Sequence, residues 1–67
     1  MAHDLTKKEV EHLLEHWIEH NESHSESFRE RAAQVEAISP EAARDIREAA
    51  DLMDLCTEKL KKAKNHV

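Results

Sequence analysis

Ile38-Ser39-Pro40-Glu41-Ala42-Ala43 is the stretch whose reading decides the fold. Pro suits the first position of a helix, where its missing N–H is not needed. Ser suits the cap just before it. A residue preceding Pro is also pushed out of the helical region. Helix therefore ends before Ser39 and begins again at Pro40. Upstream, Thr6-x-x-Glu9 forms a capping box, and Leu5 and Val10 form a hydrophobic staple around it. No Gly or Pro interrupts the residues between these two signals. The reading is one helix from about 6 to 38, a turn at about 39, and a second helix from about 40 to 65. Lys59, Lys61, Lys62 and Lys64 complement the dipole at the end of the second helix. So short a connection implies an antiparallel helical hairpin spanning residues 1–67 as one all-α domain.

Composition agrees. The 67 residues contain no Gly, one Pro and 37% charged residues, the profile of long helices packed on one another. A chain this short needs help to fold: a disulfide, a metal or a partner. Cys56 is the only cysteine, so no disulfide forms within the chain. A lone thiol and no signal peptide lead us to expect a cytoplasmic protein. The net charge of −5 comes without a basic stripe, which argues against nucleic-acid binding. No apolar run approaches the roughly 20 residues that span a bilayer.

Helical periodicity assigns a core stripe to Val10, Leu13, Leu14, Trp17, Ile18, Phe28, Ala32 and Val35 on the first helix. On the second it assigns Ala42, Ile46, Ala49, Met53, Cys56, Leu60 and Ala63. Between Trp17 and Phe28 the first stripe has a polar gap at Asn21, His24 and Ser25, with His20 at its edge. Polar groups are costly to bury unless something satisfies them. Each helix of a single hairpin also leaves apolar surface uncovered. A homodimer forming a four-helix bundle or coiled coil answers that.

The gap lies beside the chain's most distinctive run, His16-Trp17-Ile18-Glu19-His20-Asn21-Glu22-Ser23-His24. Residues four apart lie one turn apart on the same helix face. Paired imidazoles at that spacing can grip one metal ion. His16 and His24 stand about 12 Å apart along the axis at 1.5 Å per residue, too far for one helix to turn all three onto one ion. Two copies crossing at a two-fold axis near His20 would do so, with His16 of one chain and His24 of the other flanking the His20 pair. His16, His20 and His24 are the candidate metal ligands. Ordinary readings compete: histidines on a solvated face, Trp17 as core, Asn21 as a register-setting polar residue, and Cys56 as a small core residue rather than a thiolate ligand. His12 continues the spacing on the polar side. Met1-Ala2-His3 offers a copper- or nickel-chelating amine, to be read as an artefact of expressed protein. No nucleophile–base constellation or glycine loop supports an enzyme, and imidazole-saturated metal leaves little room for substrate.

The H-W-x-x-H-x-x-x-H run resembles the signature of CooJ-type proteins, nickel-binding accessory proteins of carbon monoxide dehydrogenase maturation. The resemblance covers nine residues strictly. It implies a helical dimer with a Ni(II) site built from His16, His20 and His24 at the interface, and carbon monoxide dehydrogenase as a client. Fuller members carry a histidine-rich C-terminal tail, whereas here only His66 follows. The expectation is therefore an interface site rather than bulk nickel storage. Imidazole ligands alone suit Ni(II), Zn(II) and Cu(II) alike, so the preference for nickel comes from the resemblance. The competing expectation is a metal-free structural or interaction module.

Overall fold

The computed structural model describes residues 4–67 and consists of two α-helices, α1 (Lys7–Val35) and α2 (Pro40–Lys64). They pack side by side as an antiparallel hairpin 51 Å long and 22 × 17 Å across. Met1–His3, and with them the N-terminal chelating site considered above, lie outside the described residues.

Both helix starts form as local chemistry dictates. The Thr6 hydroxyl accepts from the Glu9 N–H at 3.1 Å, and the Glu9 carboxylate accepts from the Thr6 N–H at 3.4 Å. Each such cap contributes about 1 kcal/mol to helix stability. Ser39 is extended, with φ −152° and ψ 103°, and its Oγ accepts from the Ala42 N–H at 3.1 Å. Helix α1 ends at Val35, three residues before the expected Ile38. The chain needs those residues to reverse. Ile38 and Ser39 both donate to the Val35 carbonyl at 2.9 Å, in a turn that uses no positive φ. Ile38, at its tip, is 87% exposed.

The seam between the helices differs from the expected stripe. On α1, Leu14, Ile18, Ser25 and Ala32 are buried, with Asn21, Phe28 and Val35 half-buried between them. On α2, Ala43, Ala50 and Thr57 are buried, with Ile46, Met53 and Leu60 between them. Both series alternate steps of three and four, the spacing of a coiled-coil seam. Trp17, Ala49, Cys56 and Ala63, expected in the core, are exposed. The seam prefers small residues because they let the two backbones approach closely. Ala32, Ala43 and Ala50 are fully buried there, and the Ser25 hydroxyl reaches the Ala50 carbonyl of the other helix at 3.5 Å. Thr57 is tolerated because its hydroxyl donates back to the Met53 carbonyl at 2.9 Å.

The polar gap closes within the chain. Ser25 also donates to Asp54 Oδ1, and the Asn21 amide donates to Cys56 Sγ at 3.7 Å. His24, expected to face the core, is exposed. No buried side-chain N or O lacks a partner among the described residues.

The two broad faces of the hairpin differ sharply. One carries ion pairs that bridge the helices: Arg29 with Asp51 and Asp54 at 2.9 and 2.6 Å, Lys61 with Glu22 at 3.5 Å, Lys64 with Glu15 at 3.0 Å, and Arg47 with Glu36. Exposed pairs of this kind contribute little energy, but their order along the hairpin matches one register. The opposite face exposes Trp17, His20, His24, Ala49, Cys56 and Ala63, with Leu13, Phe28, Ile46, Met53 and Leu60 half-buried. Among the described residues nothing covers it. Among the described residues, no helix is long and apolar enough to cross a membrane.

Candidate metal-binding site

Helix α1 presents His16, His20 and His24 on successive turns, and with Glu19 and Ser23 they line one shallow open groove. His20 and His24 converge. Their Nε2 atoms stand 2.6 Å apart and their rings stack, with centroids at 4.4 Å and an interplanar angle of 24°. At that distance the two ring nitrogens are within hydrogen-bond reach of each other. His16 stands apart, with its ring 6.0 Å from His20 and nearly perpendicular to it, at 89°. On the other side, the His24 ring lies 6.2 Å from Phe28.

The pair suits a metal ion between the two nitrogens. Two imidazole nitrogens at about 2.1 Å from one ion, bound at right angles to each other, stand about 3.0 Å apart. The 2.6 Å separation needs only a small opening to reach this. Both nitrogens are Nε2, which leaves both Nδ1 atoms free for orienting hydrogen bonds. Among the described residues, no three His, Cys, Asp or Glu side chains form a group able to hold an ion. A ligand set larger than this pair would draw on donors beyond these residues.

The other expected residues take other places. His12 lies in a separate groove with Leu5, Thr6, Lys8, Glu9 and Leu13. Trp17 is 44% exposed, on the apolar face rather than in the core. Asn21 bonds Cys56 and not a histidine, and Cys56 is an exposed thiol on the apolar face. His66 follows the end of α2 and donates its backbone N–H to the Ala63 carbonyl at 3.0 Å. Ser23 went unremarked in the sequence. Its signal was its position three residues after His20 and four after Glu19, which puts it on the same strip of helix.

The segment from Val10 to Val67, which includes this groove, is the part of the chain that a known family shares. The chain belongs to the family described as a domain of unknown function (DUF8180). That family matches residues 10–67, so the match contains the histidine stripe, the turn and all of α2. Neither the curated proteins nor the solved structures offer a match.

Proposed function

We propose that this protein is a small metal-binding accessory protein. In this reading two hairpins join by their apolar faces and hold one transition-metal ion at the interface. His20 and His24 form the chelating pair of each copy, and His16 is the further candidate ligand. The observation that carries the reading is the convergence of the two Nε2 atoms at 2.6 Å on an open surface. The second copy supplies the donors that one chain lacks. Nickel is the preferred ion on the strength of the H-W-x-x-H-x-x-x-H resemblance, with Zn(II) and Cu(II) the alternatives that the ligand chemistry equally admits. Service as a nickel chaperone with carbon monoxide dehydrogenase as a client rests on that resemblance alone, and the cytoplasmic placement rests on the lone thiol and the lack of a signal peptide in the sequence. No catalytic role is part of this reading.

One observation favours the competing reading of a metal-free helical module. Ser25, Asp54, Asn21 and Cys56 satisfy the polar layer among themselves, so the fold does not require an ion. Calorimetric titration of the apo-protein with Ni(II) and with Zn(II) at neutral pH separates the two. Submicromolar binding at one ion per two chains, lost in His20→Ala, supports the metal protein. Absence of binding leaves the module.

A further inference from the structure

We infer that the uncovered face pairs with a second copy of itself in one register, with Trp17 of each chain seated in the groove formed by Phe28, Arg31, Ile46 and Ala49 of the other. The inference rests on the dimeric part of the proposed function and not on its metal.

The groove is walled by apolar atoms and lies where the two helices meet on the uncovered face. Its natural occupant is a large exposed apolar side chain on the same face, and Trp17 is one. The spacing of the face selects a second copy as its source. On α1 the midpoint between Trp17 and Phe28 falls between Glu22 and Ser23, and so does the midpoint between Val10 and Val35. The midpoint of the His20–His24 pair falls at Glu22. On α2 the pairs Met53–Leu60 and Ala49–Ala63 are both centred at or beside Cys56, which the Asn21 contact sets at the same level of the hairpin. A two-fold axis through this level lays α1 antiparallel on α1 and α2 antiparallel on α2. It brings Val10 onto Val35, Trp17 onto Phe28 and Met53 onto Leu60. Such self-complementarity is what a two-fold interface demands of its patch. The axis lies about half a turn from the His20-centred one expected from the histidine spacing, and it puts both His20–His24 pairs beside the axis.

Charge and area agree. Arg31 bonds the neutral Gln34 at 3.1 Å and forms no ion pair among the described residues. In this register its guanidinium comes over the indole of the incoming Trp17, a cation–π contact. The face runs the length of α1 from Val10 to Val35, about 38 Å at 1.5 Å per residue, and is two helices wide, giving roughly 700 Å² per copy. That is close to the roughly 800 Å² per partner of a stable interface. The opposite face, crossed by the ion pairs between the helices, offers no such complement.

The test uses the metal-free chain, mixing isotope-labelled and unlabelled copies to record contacts between chains by NMR. Contacts from the Trp17 indole to Phe28 and Ala49 of the other copy are expected. Ala49→Glu, at an exposed position, should keep its helicity by circular dichroism and weaken dimerisation at least about tenfold in sedimentation. Leu55→Glu, away from this face, should keep its helicity and leave dimerisation unchanged. A dimer whose Trp17 contacts lie elsewhere, or one that Ala49→Glu leaves intact, overturns the register. A monomer overturns both the register and the dimer it rests on. A dimer with these contacts that binds no metal upholds this inference and sinks the metal reading alone.

Discussion

Ser25 on α1 and Asp54 on α2 are joined across the seam by a hydrogen bond from the serine hydroxyl to Asp54 Oδ1. The bond sits where the apolar stripe of α1 breaks. It lets a buried hydroxyl, 5% exposed, occupy a coiled-coil position without an unsatisfied group. Arg29 binds the other carboxylate oxygen at 2.6 Å. Together the three fix how the helices slide against each other.

This linkage predicts an acid-sensitive contribution to stability. The Ser25 hydrogen bond first, and the Arg29 guanidinium second, hold the Asp54 carboxyl below its usual value. A carboxylate depressed in the folded state adds stability that is complete above its unfolded pKa of about 3.9. That stability is lost as pH falls through the lower folded value. Asp54→Asn should therefore be less stable than the parent at pH 7, and the gap should narrow in urea titrations below about pH 4. A gap of constant size down to pH 2 would show that the charge is not what matters.

The close-packed seam predicts intolerance of bulk. Ala50 is fully buried, and its carbonyl lies 3.5 Å from the Ser25 hydroxyl across the seam. Ala50→Leu should cost about 1–3 kcal/mol by forcing the helices apart. Ala33→Leu, at an exposed position outside both the seam and the uncovered face, should cost nothing measurable. Equal melting temperatures for the two variants would contradict the seam.

The convergent imidazoles predict an order of ligand importance. His20→Ala and His24→Ala should each weaken Ni(II) binding by at least about 100-fold, beyond what loss of an outer orienting group costs. His16→Ala should cost less, and His12→Ala, in its separate groove, almost nothing. Calorimetry across the four variants decides this. A loss at His16 larger than at His24 would contradict the chelating pair.

Cys56 separates imidazole from thiolate ligation. It is exposed and bonded by Asn21. Cys56→Ser should leave Ni(II) affinity and stoichiometry nearly unchanged, and the parent complex should lack strong near-ultraviolet sulfur-to-metal bands. Bands that appear with metal and vanish in the variant would make the thiolate a ligand, and zinc or copper the better assignment.

What the sequence by itself determined were the local signals. Thr6 with Glu9, and Ser39 with Pro40, act through side chain–backbone bonds that span three residues, so their outcome needs no knowledge of the rest of the chain. The histidine spacing was legible for the same reason, since residues four apart on a helix are neighbours wherever the helix packs. The rotation of each helix about its own axis was not legible. Apolar residues cover both the seam and the uncovered face, and periodicity alone averages the two, which drew Trp17, Ala49, Cys56 and Ala63 into the expected core. Only the tertiary structure chose the seam. Close approach rewards Ala32, Ala43 and Ala50, and the ion pairs on one flank hold the helices so that the broader apolar strip remains outside. It also decided the fate of the polar gap and the pairing of the histidines. The carboxylate that satisfies Ser25 lies on the other helix, and which imidazoles meet depends on side-chain rotamers that spacing does not specify.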